Sequence, residues 1–433
     1  MSTATASATT SLGDLAGSAK PDRNRAVDLY RAVAMAAVAF GHWMAIAISA
    51  DADGNIVGGN ALEQDPSMSW VSWLLQVMPL FFVVGGFSSA ISLDAHNKAD
   101  GARPQDWVVA RLRRMLAPAV VLAGTWVALF AGGFLTGTSV IVSAGALAAA
   151  IPLWFLSNYT IDTAIAPYVL PRFRANPARF AVGGLGLFGF LEMLRFAEVP
   201  VIPHLNWVLG WLLFQVAGFA WRDGLLPTGR PLAALAGALW IAALAAVTVG
   251  PYPLSMVNFP NLVHSPTHPP TLALLLFGAA YSATAIFFAP AISSFLATNV
   301  KAWAAVVAAN SFAVSVYLWH MTAAVAASAV FYALGALPTA AVGTTDWWIQ
   351  KVPLLSLSLV FLVAIVAVVS RFERKALLAP RVDWNGGQIS MLACAAIVSA
   401  SIKLWAGGDV ASAIVGSSSL LVIWFWKLRA PSS

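Results

Sequence analysis

The sequence predicts an all-α, polytopic transmembrane helical bundle of about 10–12 spans with both termini in the cytoplasm. The chain of 433 residues is 60% hydrophobic and 10% charged, whereas soluble domains carry about 25% charged residues. Apolar runs of about 20 residues, long enough to cross a bilayer as helices, recur along the chain. Basic residues gather in alternate connections between these runs, which is typical of cytoplasmic loops.

The apolar runs divide the chain into a tail, a membrane domain and a C-terminal extension. Residues 1–25 are small and polar, which predicts a disordered cytoplasmic tail, and no signal-peptide core precedes the first span. Residues 26–370 are predicted to form the membrane domain, and residues 371–433 a cytoplasmic loop plus an extra helix pair. Prolines bracket the fourth span and favour a break in it. The predicted spans are 26–49, 70–93, 108–131, 146–170, 180–197, 204–221, 231–249, 271–292, 306–333, 351–370, 390–406 and 410–426.

The positions of Lys and Arg orient these spans. The N-terminal tail and every second loop are basic, whereas the intervening loops hold mostly Asp and Glu. Since positive residues accumulate on the cytoplasmic side, both termini are placed there, in the inner (plasma) membrane. The same placement accounts for the net charge of +6 without a nucleic-acid partner. The single cysteine, Cys394, cannot form a disulfide within the chain.

The first span carries ionisable residues that a bilayer normally excludes. Asp28, Arg31 and His42 lie in or beside its apolar run, AVDLYRAVAMAAVAFGHWMAIAIS, and such residues are usually functional. The separation from Arg31 to His42 places the two within about 20° of one helix face and about 16 Å apart along the axis. One face is therefore predicted to present a cation near the cytoplasm and an imidazole deep in the bilayer.

A second histidine is expected at a similar depth. His320 lies well inside the ninth span, within SFAVSVYLWHM, and Tyr317 lies on the same face one turn earlier. Two histidines at one level can share a site, one as a general base and the other orienting it or stabilising developing charge. The simpler explanation of His42 is a buried imidazole bonded to a neighbouring helix.

A group of arginines opens the third span. Arg111 and Arg114, in the run RLRR, are one helical turn apart and face the same way. Arginine pairs near a helix N-terminus suit phosphate groups, through bidentate hydrogen bonds and the helix dipole. The simpler explanation is ordinary anchoring of the helix at the membrane surface.

Other conspicuous residues have structural as well as functional explanations. Gly85 and Gly86, in MPLFFVVGGFS, allow a ligand or a neighbouring helix to approach closely. Asp162 and Glu192 lie in apolar stretches, and each is a candidate to pair with a histidine or an arginine. Trp154, in PLWFLSNY, fits an aromatic belt at the outer interface.

The uncharged, proline-rich segment 250–270 is predicted to be an external loop or lid that faces a substrate. His264 and His268 are four residues apart, a spacing that can bind a metal on a helix. The prolines around them oppose a helix, and no cysteine or carboxylate is near. No metal is therefore predicted.

Five of these pieces, in order, resemble the motifs of the acyltransferase-3 family, the polytopic membrane O-acyltransferases that modify bacterial sugars and some secondary metabolites. Arg31 and His42 match the family's Arg-x10-His pattern, and MPLFFVVGGF is similar to its PLFF-x-x-SGF segment. RLRR, PLWFL and SVYLWH resemble its Arg-x-x-Arg, Trp-Phe-Leu and Tyr-x-x-His segments. The resemblance covers residues 26–370, with one departure, because Gly85 stands where the family has serine.

The resemblance implies a cytoplasmic acyl-CoA donor, acetyl-CoA by default, whose phosphates contact Arg31, Arg111 and Arg114. We expect His42 to act as general base on an acceptor hydroxyl that arrives from outside, with His320 orienting or stabilising the site. The acceptor is expected to be a cell-envelope glycan, a glycolipid or a glycosylated metabolite. The expected supporting residues are Asp28, Tyr317, Asp162 and Trp154.

Two other classes of function stay open at this point. A proton-coupled secondary transporter would use Asp28, Asp162 or Glu192 as proton sites. It leaves the arginine and histidine motifs without a role, and the two halves of the chain show no obvious similarity. A non-catalytic polytopic scaffold would leave both His42 and His320 dispensable.

Overall fold

The computed structural model describes residues 23–50, 56–259, 262 and 264–378. The predicted N-terminal tail up to residue 22, the last two predicted spans and Cys394 lie outside the described residues. The described chain is mostly helical, with one two-stranded hairpin, which confirms the predicted all-α class.

The helices follow one another with short connections. In chain order the elements are α1 (Arg25–Ala45), β1 (Ile46–Ala50), β2 (Ile56–Asn60), α2 (Ala61–Gln64), a 3-10 turn (Pro66–Trp70), α3 (Val71–Leu75), α4 (Met78–His96), α5 (Pro104–Thr136), α6 (Ser139–Ala150), α7 (Leu153–Ala175), α8 (Pro177–Phe196), a second 3-10 turn (Ile202–Leu205), α9 (Asn206–Arg222), α10 (Gly229–Thr248), α11 (Leu272–Thr298), α12 (Val300–Ala333) and α13 (Thr345–Leu378).

Eight helical segments of the described chain are long and apolar enough to cross a membrane. They contain α4, α5, α7, α8, α10, α11, α12 and α13. α1 and α9 lie where two further spans are predicted; α1 carries the charges of Asp28 and Arg31, and α9 has 17 residues. The protein is therefore a multi-pass membrane protein, as predicted.

The first span is shorter than predicted, because the helix ends at Ala45 rather than at residue 49. From Ile46 the chain forms an antiparallel hairpin whose register pairs Ile46 with Asn60 and Ala50 with Ile56. β-Branched Ile46 and Ile48 favour extended backbone. An apolar run alone does not distinguish the end of a helix from the start of a strand.

Two spans are interrupted near the same end of the bundle. The fourth is broken between α6 and α7 at Ile151 and Pro152, as its prolines suggested. The second is bent at Gln76 and Val77, between α3 and α4. These interruptions separate helix ends and make room for side chains between them.

α4 and α9 cross at very short range. A methyl group added at Gly86 would lie 2.0 Å from the Gln215 carbonyl oxygen, and one added at Gly218 would lie 2.0 Å from the Val83 carbonyl oxygen. Only glycine fits such an approach of two backbones. Gly86 therefore has the packing role that its sequence allowed.

α1 lies among α4, α11 and α12 and is fixed to them by hydrogen bonds. The Tyr30 hydroxyl donates to the Ala285 carbonyl oxygen on α11 over 2.5 Å. The Asn310 side chain on α12 donates to the Asp28 carbonyl oxygen over 2.8 Å. These two bonds fix α1 against α11 and α12.

Candidate active site

The structure brings His42 and His320 together. His42 lies in the last turn of α1, and His320 lies within α12, where it is fully buried. His42 Nδ1 is 2.9 Å from His320 Nε2, and the two ring planes are within 12° of parallel. The Trp43 indole donates to the His320 carbonyl oxygen over 2.8 Å and holds the two helices together beside the pair.

The hydrogen bonds of this pair fix the proton positions on both rings. His320 Nδ1 is 2.6 Å from the Tyr317 carbonyl oxygen; because a carbonyl only accepts, neutral His320 carries its proton on Nδ1. His320 Nε2 is then the acceptor, and His42 Nδ1 donates the bond between the rings. Neutral His42 therefore keeps a lone pair on Nε2, which can accept a proton from a ligand.

Tyr317 links the histidine pair to the broken fourth span. Its buried hydroxyl donates to the carbonyl oxygen of Pro152, in the break between α6 and α7. Its own carbonyl accepts the proton of His320 Nδ1. The same residue thus positions both the ring of His320 and the start of α7.

A cavity of about 570 Å³ lies beside His42. This volume falls within the range of about 300–1,000 Å³ that is usual for small-molecule sites. Trp154 at the start of α7 and Trp207 in α9 form one wall, with their ring centroids 5.9 Å apart. Trp154 therefore faces this cavity, where an aromatic belt at the membrane interface was the simpler expectation. Tyr317 and the His42 ring also line the cavity.

The predicted external loop covers one side of the cavity, with Val257, Asn258, Phe259, Thr267 and His268 in the lining. Hydrogen bonds from the bent second span hold the loop in place. The Trp73 indole donates to the Leu254 carbonyl oxygen over 2.7 Å, and the Gln76 amide donates to the Met256 carbonyl oxygen over 2.8 Å.

His268 packs against the aromatic wall, with its ring centroid 4.5 Å from that of Trp207 and 5.7 Å from that of Trp154. Its Nδ1 is 2.7 Å from the Thr267 hydroxyl. Burial lowers the pKa of His268 to about 4, so its ring is neutral at neutral pH.

The far end of the loop is fixed by a buried ion pair. Glu192 accepts two hydrogen bonds of 3.0 Å from Arg195 and one of 2.7 Å from the Tyr252 hydroxyl. Burial and the Glu192 carboxylate raise the pKa of Tyr252. His264 lies 3.2 Å from Arg195, so His264 and His268 contact different residues. Glu192 thus pairs with an arginine, which is one of the two options its sequence offered.

Arg31 and Arg111 meet at Ser88 near the other end of α1. Arg31 donates to the Ser88 hydroxyl over 2.7 Å, and Arg111 donates to the Ser88 carbonyl oxygen over 3.2 Å. The Arg111 guanidinium also lies over the Trp107 ring, 5.1 Å from its centroid. Arg114, one turn further along α5, is exposed. We call Arg31, Arg111 and Arg114 the arginine cluster; two of its members share Ser88.

Asp28 is buried and contacts two arginines. It accepts hydrogen bonds of 2.7 and 2.9 Å from Arg23, and its closest approach to Arg31 is 3.5 Å. The Asp28 carboxylate raises the pKa of Arg23 by accepting these bonds. Asp28 therefore lies beside Arg31, but its shorter contacts are with Arg23. That Asp28 supports Arg31 stays a prediction.

Tyr159 fills the space beside Gly85. A methyl group added at Gly85 would lie 2.7 Å from the Tyr159 ring and 2.8 Å from its hydroxyl. A serine at residue 85, as in the resembling family, would therefore overlap Tyr159. In this chain the Tyr159 hydroxyl therefore lies close to the position that a serine side chain at residue 85 would occupy.

Asp162 does not join the histidines or the arginine cluster. It is fully buried in α7, and neither of its carboxylate oxygens has a hydrogen-bond partner among the described residues. Asn158, one turn earlier on the same face, is in the same state. Neither side chain therefore hydrogen-bonds to the histidine pair or to the arginine cluster in the described part of the chain.

Lys351 and Ser88 are contributors that sequence reasoning missed. Lys351 is 1% exposed within α13; its ammonium donates to the Ile46 carbonyl oxygen and lies 5.1 Å from the Trp347 ring centroid. It therefore holds the chain just after the turn that carries His42. Its signal was a lysine on the predicted outer side, against the usual charge asymmetry. Ser88 carried no signal, since a lone serine in a span is common.

Comparisons with known proteins give a match over most of the chain. The family described as an acyltransferase domain (Acyl_transf_3) matches residues 24–372. This range contains His42, His320, the arginine cluster and every lining residue of the cavity. No curated protein and no solved structure matches the chain.

Proposed function

Because the chain belongs to the acyltransferase-3 family, and is a membrane acyltransferase on that evidence, we propose that it moves an acyl group from cytoplasmic acyl-CoA to an acceptor hydroxyl. Acetyl-CoA is the proposed donor, and a cell-envelope glycan, a glycolipid or a glycosylated metabolite is the proposed acceptor. The proposed location is the inner membrane, with both termini in the cytoplasm.

The observation that carries this proposal is the direction of the histidine hydrogen bonds. His320 holds His42 Nδ1 as a donor, and the unprotonated Nε2 belongs to a ring that lines the cavity. A ring held in one tautomer beside a ligand-sized space is the arrangement that a general base requires. The hydrogen bond from Tyr317 to Pro152 fixes this arrangement against the neighbouring helix.

The proposed reaction is a direct transfer. His42 Nε2 removes the proton of the acceptor hydroxyl as that oxygen attacks the thioester carbonyl carbon, so that a C–O bond forms. The C–S bond then breaks, and the CoA thiolate takes the proton from His42. His320 shares the positive charge on His42 through the 2.9 Å bond and lowers the cost of forming it.

The arginine cluster is the proposed phosphate site for the donor. Arg31 and Arg111 are both held at Ser88. Arg31 lies eleven residues before His42 on the same face of α1. The rise of an α-helix separates Arg31 from His42 by about 16 Å. Phosphates at the cluster would leave that distance for the pantetheine arm to bring the thioester to His42.

The buried Asp162 carboxyl favours one alternative function, a proton-coupled transporter. A buried carboxyl without a partner in the described part of the chain is typical of proton sites in transporters. The other two carboxylates that a transporter was expected to use, Asp28 and Glu192, are both paired with arginines. The histidine pair and the cavity also have no role in such a mechanism, so we propose the acyltransferase.

The test uses the full-length protein in lipid nanodiscs with radiolabelled acetyl-CoA and an envelope-glycolipid extract. Wild type is compared with His42→Ala and with His204→Ala, which removes an exposed histidine outside the site. We expect label transfer and CoA release by wild type and by His204→Ala, and loss of both in His42→Ala. Full transfer by a correctly inserted His42→Ala protein would refute the proposed base. Proton-coupled flux abolished by Asp162→Asn, without CoA turnover in wild type, would establish the transporter instead.

A further inference from the structure

The cavity beside His42 is largely apolar. Aliphatic and thioether side chains make up much of its lining, including Val38, Met44, Leu62, Met68, Val71 and Leu75. Among the lining residues that the structure describes, none is Asp, Glu, Lys or Arg. An ionised ligand would therefore leave water for a space without an opposite charge, which is strongly unfavourable.

Most polar side chains in the lining are already bonded within the protein. Gln76 donates to the Met256 carbonyl oxygen and accepts from the Met78 backbone. The Ser72 hydroxyl donates to the Ser69 carbonyl oxygen and accepts from the Met256 backbone. A ligand with many hydroxyl groups would find few partners here, and each buried group without one is costly.

Three polar residues of the loop also line the cavity, and one of them, His268, packs on the aromatic wall. Asn258 is an exposed lining residue in the loop, and Thr267 and His268 stand beside Trp207. Aromatic faces bind the apolar face of a ring, and a few nearby polar groups can orient one hydroxyl-bearing head. The cavity thus combines a few polar groups of the loop with a larger apolar space, and His42 lines the same cavity.

The lining also reaches the outer surface of the bundle. Leu147 at the end of α6 and Ile151 in the break after it both line the cavity, and each is 43% exposed. Exposed apolar side chains on a membrane-spanning helix contact lipid chains. An apolar ligand chain can follow these two side chains from the cavity into the bilayer.

Resting on the proposed function, we propose that the acceptor is an uncharged amphiphile, such as a neutral sugar on an alkyl or prenyl chain. Its hydroxyl-bearing head lies at His42 Nε2 and the aromatic wall. Its apolar part fills the cavity and leaves past Leu147 and Ile151. Among the three acceptors open above, this selects a neutral glycolipid-like molecule over a free or acidic glycan.

The first test compares three acceptors that differ in one feature each. Octyl glucoside, octyl glucuronide and free glucose are offered with radiolabelled acetyl-CoA to the full-length protein in nanodiscs, and kcat/KM for the acceptor is measured. We expect octyl glucoside to exceed the other two by about 100-fold, since the glucuronide buries an unpaired charge and glucose lacks the chain. Asn258→Arg adds a cation at an exposed lining position and should raise the glucuronide rate, with Asn258→Gln as its matched control. Comparable rates for glucuronide or glucose in wild type would overturn the inference.

A second readout measures binding without catalysis. In a Cys394→Ser background, the chain's native cysteine is absent and Asn258→Cys supplies the one thiol for maleimide labelling. Octyl glucoside should slow labelling, whereas octyl glucuronide and glucose should not. Protection by the glucoside, with no acyl transfer by the wild-type protein, would refute the proposed function and leave the uncharged amphiphile only as a ligand of the cavity. Absence of protection by the glucoside would overturn the acceptor class, whatever the outcome for transfer.

Discussion

The two ends of α1 differ in the chemistry that surrounds them. Near Arg31 the neighbours are charged or strongly polar, and Arg23, Asp28, Ser88 and Arg111 are joined by direct hydrogen bonds. Near His42 the partners are a second imidazole and backbone carbonyls, and the described lining of the adjoining cavity carries no Asp, Glu, Lys or Arg.

The difference shows how one helix can serve two unlike substrates. A polyanionic donor requires cations, and cations are best kept at a membrane surface, where water and counter-charges are near. A base that must be neutral to accept a proton is best kept away from both cations and carboxylates. Separating them by about three turns of one rigid helix meets both requirements at a fixed distance.

Removing His42 should have the largest effect and is the direct way to break this division of roles. General base catalysis contributes about 10²–10⁴-fold to rate, so His42→Ala should lower kcat by a factor in that range while leaving KM for acetyl-CoA unchanged. His320→Asn, which removes the acceptor of the His42 proton, should lower kcat less. Initial-rate assays with radiolabelled acetyl-CoA measure both kcat and the KM for acetyl-CoA. A rise in donor KM without a fall in kcat would place His42 in donor binding.

Removing a guanidinium from the arginine cluster should give the opposite pattern. Loss of one charge-assisted phosphate contact costs about 1.5–3 kcal/mol, so Arg111→Ala should raise KM for acetyl-CoA about 10–100-fold with little change in kcat. The matched control is Arg172→Ala. Arg172 is an exposed arginine of α7 whose guanidinium donates to the Tyr168 carbonyl oxygen of the same helix. An equal loss of kcat and of donor affinity would show that the two ends of α1 are not independent.

The sequence predicted the class of fold and the broken fourth span, because apolar length and proline position act locally. It also predicted that His42 and His320 lie at one level, which follows from span orientation. It did not predict that the first helix ends at Ala45, since Ile46 and Ile48 are as apolar as the helix before them.

Contacts between distant segments had no local signal. The bond from Lys351 to the Ile46 carbonyl joins residues far apart in the chain, as does the packing of Tyr159 beside Gly85. The cavity also had no local signal, because it is built from several helix ends and one loop. No single one of these segments indicates a cavity in its own sequence. Such features depend on how whole helices are placed.

The adjacent glycines of α4 sharpen the comparison, because α4 runs from the Ser88 contact towards the histidine end. Gly86→Ala places a methyl group against the Gln215 backbone carbonyl, which cannot move away, so we expect a loss of about 1–3 kcal/mol in stability. Gly85→Ala meets the Tyr159 side chain, which can rotate, so its loss should be smaller. Thermal unfolding in nanodiscs compares the two, and Tyr159→Ala should remove most of the Gly85→Ala effect. Equal losses at both positions would contradict the assigned packing.

Acidification should have the smallest effect, and it tests whether the cavity depends on remaining uncharged. The pKa of His268 is lowered to about 4 by burial, whereas an unfolded histidine has a pKa of about 6.5. The stabilising contribution of the neutral ring is therefore complete above pH 6.5 and is lost progressively as the pH falls towards 4. Between pH 7.5 and 5.5 this linkage raises the opening constant of the loop by at most about 10-fold. Hydrogen exchange of residues 264–271 measures it. Other charged or titratable groups also contact this loop, because Arg195 contacts His264 and Glu192 accepts from Tyr252. The quantity to compare is therefore the difference in exchange rate between wild type and His268→Gln at each pH. If that difference does not change with pH, protonation of His268 is not what loosens the loop.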